Sequence, residues 1–177
     1  TMSARELHLG VNVLADGMHP AAWQHPDVDP AAFVDPDYWI RVARLAERGT
    51  LDALFLADSP SLFADPRKPL TTPPLALDPI VLLSALASAT THLGLIATVS
   101  TSFEEPFNVA RRFASLDHLS RGRVAWNVVT GSDPYAWNNF GHGQGPVAPP
   151  GRDERYRRAA EFVDVVRALW DSWDDDA

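Results

Sequence analysis

Six polar residues stand at or just beyond the ends of short apolar runs and carry the sequence's most legible chemistry. Asp58 follows Leu51 to Ala57, Thr98, Ser100 and Thr101 end the run that begins at Leu93, and Asn127 and Thr130 close the run Val124 to Val129. A carboxyl, four hydroxyls and an amide supply donors and acceptors. Any one of them could simply cap a helix or turn the chain. Their shared position at run ends suggests convergence on one rim. The chain has no cysteine, which excludes a thiolate nucleophile, a disulfide framework and a thiolate metal site. It also has no GxSxG, HExxH, GxGxxG or P-loop pattern. Redox chemistry here would therefore need a cofactor.

Other candidates carry weaker signals. His19 and His25 share one loop without a carboxylate or third histidine at ligand spacing, so no metal site is expected. Gly141 to Gly145 is glycine-rich but lacks a phosphate-binding context. His92 and His118 read as structural. Arg152 and Tyr156 are four apart near the start of a helical pattern and could share one face; arginine suits a phosphate and tyrosine can donate a hydroxyl.

These residues need elements to hold them. Leu7 to Leu14, Leu51 to Ala57, Leu93 to Ser100 and Val124 to Val129 read as strands. Between and after them, helices are predicted over Tyr38 to Arg48, Ile80 to Ala89, Pro106 to about Gly122, and Asp153 to Trp173. Asp35 or Asp37 could cap the first, and Asp78-Pro79 opens the second as N-cap and N1. The expected buried faces include Leu45 in the first helix and Ala160, Val163, Val166, Leu169 and Trp170 in the last. Alternating strands and helices imply a parallel sheet joined by crossovers. The long loops follow strands, which puts the functional loops at the strand C-terminal face. Either an open doubly wound sheet or part of a (β/α)₈ barrel fits this pattern.

Composition bounds the partners. The 177 residues are 46% hydrophobic and 21% charged, enough for a real core. A formal charge of −8 argues against nucleic acid. Part of that charge sits in Asp174 to Asp176. No apolar run approaches a membrane span, and the start lacks the order of a signal peptide, so a cytoplasmic location is expected.

Two longer stretches are more specific. They are Ser100-Thr101-Ser102-Phe103-Glu104-Glu105-Pro106-Phe107-Asn108-Val109-Ala110-Arg111 and Ser115-Leu116-Asp117-His118-Leu119-Ser120-Arg121-Gly122-Arg123-Val124-Ala125-Trp126-Asn127-Val128-Val129-Thr130. With Trp23 to Asp27, Phe55 to Asp58, Arg155-Tyr156 and Leu169 to Trp173, they resemble one group of the bacterial luciferase-like flavin monooxygenases. That is the nitrilotriacetate monooxygenase component A and dibenzothiophene sulfone monooxygenase group, and the resemblance covers essentially the whole chain.

The resemblance implies a luciferase-like (β/α)₈ TIM barrel. Residues 1–177 would be the N-terminal half of that single domain, about its first four βα units. It implies FMN, bound as FMNH₂, and O₂ as co-substrate. A flavin C4a-hydroperoxide would oxygenate a small organic substrate. NAD(P)H would act indirectly, through a separate flavin reductase. A homo-oligomer is expected. The flavin contacts implied are Asp58, Thr98, Tyr156 and the residue at 152, where members usually carry histidine and this chain has Arg152. Asn127 and Thr130 would line the same mouth, and His19, Trp23, His25 and Phe55 the substrate side. Two other readings remain open: a half-barrel retained as a binding module, and deazaflavin-dependent hydride transfer.

Overall fold

The computed structural model describes residues 7–14, 17, 19, 21–29, 31–61, 76–140 and 149–173. The glycine-rich Gly141 to Gly145 and the acidic Asp174 to Asp176 lie outside the described residues. Four parallel strands form one sheet: β1 (Gly10–Asn12), β2 (Ala53–Leu56), β3 (Gly94–Ser100) and β4 (Val124–Val129). Their spatial order is β1-β2-β3-β4. This order separates the two architectures that the sequence left open. A doubly wound sheet reverses direction at a switch point and places helices on both faces. Here every crossover steps to the same side, as in a barrel segment.

The helices are α1 (Pro36–Arg48), α2 (Pro79–Ala89), α3 (Pro106–Ser120), α4 (Pro134–Asn138) and α5 (Arg152–Trp170). Three begin with the same device, an aspartate cap followed by proline at the first helical position. Asp35 accepts from the N–H groups of Asp37 and Tyr38, Asp78 from that of Val81, and Asp133 from that of Tyr135. The cap satisfies otherwise orphaned donors, while proline has no N–H to satisfy. Short 3₁₀ turns at Ala22–Gln24 and Ala32–Val34 organise the loop after β1.

One face of the sheet makes the core. Leu54, Leu56, Leu95, Ala97 and Val99 pack against Trp39 and Ala43 of α1, Leu83 and Leu86 of α2, Val109 and Phe113 of α3, and Phe162 and Val166 of α5. Each fully buried leucine or phenylalanine contributes roughly 1.5–3 kcal/mol. Strand alternation turns the other set, Phe55, Ile96, Thr98, Ala125 and Asn127, to the opposite face. That inner face is the one available to a site.

At the N-terminal ends of the strands two charged side chains tie elements together. Glu47 Oε1 accepts from the backbone N–H groups of Thr91, His92 and Leu93 at 2.8, 2.6 and 3.0 Å, fixing the turn between α2 and β3. These bonds, led by that from His92, hold its carboxyl below the ordinary value. Arg123 donates to the carbonyls of Ser120, Leu93, Ala87 and Thr90 at 2.6, 2.7, 2.8 and 3.2 Å, and to Thr90 Oγ1 at 3.0 Å. It thereby satisfies the last carbonyls of α2 and α3.

Several expectations are corrected. β1 and β2 are shorter than their apolar runs because only their central residues pair. Leu45 is 61% exposed, since Trp39, Ala43 and Ala46, spaced by four and three, define the buried line of α1. In α5 the buried residues are Ala159, Phe162 and Val166; Ala160 and Trp170 are exposed and Val163 and Leu169 half-buried. Trp170 still donates its indole N–H to the Ala110 carbonyl at 3.0 Å, which draws its ring along α3 rather than into the core. α5 ends at Trp170, three residues early, where the Asp171 N–H closes on Arg167.

Candidate active site

The strand C-terminal rim gathers the predicted residues unevenly. Thr98 and Asn127 are paired in register across β3 and β4. Asn127 Nδ2 donates to Thr98 Oγ1 at 3.0 Å. Thr98 is 4% exposed and Asn127 half-buried. This bond leaves the Thr98 hydroxyl hydrogen, the Asn127 carbonyl oxygen and one amide hydrogen for a further partner. Around them on the inner face stand Phe55, Ile96 and Ala125, with Phe55 paired to Ile96 and Ile96 to Ala125.

Asp58 lies just beyond β2. Burial, and then the neighbouring Asp78 carboxylate, push its carboxyl up from 3.8 to about 6. The residue keeps an exposed surface, so the crowding acts on the carboxyl while water still reaches the side chain. Thr130 follows β4 and is half-buried. Arg152 and Tyr156 do share a face: the guanidinium carbon lies 5.6 Å from the phenol ring centroid, within cation–π range. Both are exposed. Two turns on, Arg158 Nε donates to the Thr101 carbonyl at 3.2 Å, which docks the start of α5 on the loop after β3. Among the described residues no hydrogen bond or ring contact joins the Arg152–Tyr156 pair to Thr98 and Asn127.

The loop after β1 behaves differently. His19 Nδ1 accepts from the Ala21 N–H at 3.1 Å and His25 Nδ1 from the Asp27 N–H at 3.3 Å, so each imidazole closes its own turn. Both are exposed, and no His/Asp/Glu cluster suited to a metal occurs among the described residues. Trp23 is half-buried, and its indole N–H is sealed from solvent without a partner among the described residues. A cavity of about 580 Å³ lined by Phe113, Asp117, His118, Trp126, Arg167 and Trp170 lies on the helix side of β4. It opens to solvent between α3 and α5 and lies on the opposite face of the sheet from the Thr98–Asn127 pair.

Sequence reasoning missed the architecture of the rim itself. Gly131 N–H donates to Ser102 Oγ at 3.0 Å, and the Trp137 indole N–H to the Gly131 carbonyl at 3.1 Å. Phe103 stacks on Phe140, with centroids 4.6 Å apart, and meets Trp137 edge-on at 5.2 Å. Ser61 Oγ donates to Asp133, and Asn139 Nδ2 donates to the Pro60 carbonyl at 2.8 Å. Asp133-Pro134, the same pair as Asp78-Pro79, was the signal that could have revealed α4.

The luciferase-like monooxygenase family model matches residues 15–176. The chain belongs to the luciferase-like monooxygenase family. It is 46% identical over 177 residues to N-acetyl-S-(2-succino)cysteine monooxygenase of Bacillus subtilis (strain 168), covering 100% of this chain and 38% of that protein. Against nitrilotriacetate monooxygenase component A of Aminobacter aminovorans it is 40% identical, covering 98% of this chain and 39% of the relative. A crystal structure of riboflavin lyase with modified FMN and riboflavin superposes with a TM-score of 0.78 at 37% identity, over 94% of this chain and 38% of that one. The chain thus spans well under half the length of these relatives. The family's TIM-barrel architecture accounts for the sequential parallel sheet with helices on one face. Among the described residues no helix is long and apolar enough to cross a membrane.

Proposed function

We propose that residues 1–177 form the first four βα units of a single luciferase-like barrel, and that the protein is an FMNH₂-dependent monooxygenase. A separate NAD(P)H-dependent flavin reductase would supply the reduced cofactor. The observation that carries this reading is the Thr98–Asn127 pair set among Phe55, Ile96 and Ala125 on the inner face. An isoalloxazine is a flat apolar body with one edge bearing both N–H and C=O groups. The inner face offers an apolar floor, and beside it a free hydroxyl donor, amide donor and amide acceptor. A phosphate needs a cation and unpaired donors. Arg152 and Tyr156 provide these at the first turns of α5, whose N-cap Gly151 has no side chain to occupy the helix N–H groups. The residues present therefore fit FMN.

When bound, the reduced flavin supplies the activation of O₂ that puts one oxygen atom into an organic substrate and the other into water. The chain's own residues do the rest. Thr98 and Asn127 would orient the ring edge through fixed hydrogen bonds. The apolar inner face would exclude water from the reacting atoms. Asp58, with a carboxyl near 6, exchanges a proton close to neutral pH and would hold one at its Oδ atoms beside the ring. Thr130 would border the same mouth. Phe55, Trp23, His19 and His25 are proposed to line the substrate side, Trp23 with an indole donor that has no protein partner among the described residues. No protein nucleophile is required.

The test uses the full-length protein with FMN, NADH and a flavin reductase. Substrate-dependent oxygen uptake is expected with at least one member of a panel of sulfones, aminopolycarboxylates, sulfonates and alkanes. Flavin binding without oxygenation of any panel member would contradict the monooxygenase assignment.

A further inference from the structure

The rim of the candidate site is stitched across three loops, and one side chain both crosses between two of them and caps the helix within its own. Asp133 Oδ1 accepts from the Tyr135 N–H at 3.0 Å, which starts α4, while Oδ2 accepts from the Ser61 hydroxyl. Ser61 also lies 3.2 Å from Ser59 Oγ, and Asn139 at the far end of α4 reaches back to the Pro60 carbonyl at 2.8 Å. Between these crossings lies the loop after β3. Its Ser102 holds the Gly131 N–H, and its Phe103 packs on Trp137 and Phe140. A Cβ on Gly131 would stand 2.4 Å from the Phe103 ring, so the two loops touch without a gap. Asp58 is three residues from Ser61, and Thr130 adjoins Gly131.

We infer that the Ser61–Asp133 contact is a latch that joins residues 57–61 after β2, the loop after β3 and residues 130–140 after β4 into one rigid rim, so that Asp133 is a positioning residue for Asp58 against the Thr98–Asn127 pair. The functional part of this inference rests on the flavin reading of the site; the mechanical part does not. Asp133 need not touch a ligand. Without the latch, residues 57–61 retain, among the described residues, the Asn139 tie to the Pro60 carbonyl, and the fraction of molecules with Asp58 in place falls. Apparent affinity falls by that same fraction.

Two arms test it on the full-length protein. In flavin-free hydrogen exchange, Ser61→Ala and Asp133→Ala are expected to expose amides of 57–61 and 131–139 together. Asp133→Asn, whose amide can still donate to Ser61 Oγ, stays near wild type. In FMN titration, Ser61→Ala is expected to raise Kd about three- to tenfold, with Asp133→Asn again near wild type. The thermal midpoint of Ser61→Ala should stay within about 2 °C of wild type, which a general loss of stability would not allow. Faster exchange confined to 57–61 overturns the latch. Joint exposure of both loops with an unchanged Kd overturns the positioning role. If wild type binds no FMN, the flavin reading and the positioning role fail together, while the exchange arm still decides the latch.

Discussion

Replacing Asp58 by asparagine should make the flavin-free protein more stable at pH 8. The Asp58 carboxyl is pushed from 3.8 to about 6 by burial and by the Asp78 carboxylate. A carboxyl raised in this way binds its proton more tightly in the folded chain than in the unfolded one. Stability is therefore greatest when the group is protonated, falls as pH rises from about 4 to 6, and carries the full penalty above that window. Were the group sealed from water, a displacement of this size would cost about 3 kcal/mol at pH 8. Asp58 keeps an exposed surface, so solvent screening reduces the figure to about 1 kcal/mol. Asparagine removes the charge and its repulsion with Asp78, while Asp78 continues to cap α2. Urea denaturation of the flavin-free full-length protein should show Asp58→Asn more stable by about 1 kcal/mol at pH 8, with about half that gain at pH 5. FMN affinity should fall in the same variant, because a residue placed for a ligand is not optimised for the empty fold. A variant less stable than wild type at pH 8, or a gain independent of pH, would refute the reasoning.

Other elements give further expectations. Glu47→Gln should destabilise by about 1–2 kcal/mol at pH 7, since three backbone donors lose a charged acceptor. The depressed Glu47 carboxyl contributes stability above its unfolded value of 4.5 and loses it as pH falls through the lower folded value, so the difference from wild type should shrink in acid denaturation. Arg123→Ala strands carbonyls of α2, α3 and the start of β3 and should cost about 2–4 kcal/mol in urea denaturation, with the FMN dissociation constant unchanged because the residue lies at the far end of the strands. Thr50 sits at φ 57, a left-handed conformation that a β-branched residue adopts only under strain, so Thr50→Gly should raise stability by about 1 kcal/mol in the same assay.

Much of the fold could be read before the structure because local signals agreed. Asp78-Pro79 names a helix start by two independent mechanisms, and Val124 to Val129 is the whole of β4. The order of strands was not legible, since βα alternation is common to barrels and open sheets and only the pairing separates them. The face of α5 was misread because its apolar residues are spread around much of the helix, and the neighbours of α3 and β4 select Ala159, Phe162 and Val166. In the site, Thr98 and Asn127 were legible as strand-end polar residues, but their bond depends on a register that the sequence does not state. The turn-closing bonds of His19 and His25 were not legible, because an imidazole accepting from an N–H two residues on has no sequence signature of its own. The latch was invisible because Ser61 and Asp133 are distant in sequence and each is an ordinary loop residue alone.

FMN titration of the full-length protein, compared with Asn127→Ala, tests the central claim most directly. Saturable quenching of flavin fluorescence by wild type is predicted, with a dissociation constant raised about tenfold in Asn127→Ala through loss of a fixed ring-edge contact. No binding by wild type, or equal affinity in the two proteins, would contradict placement of the flavin on the Thr98–Asn127 face.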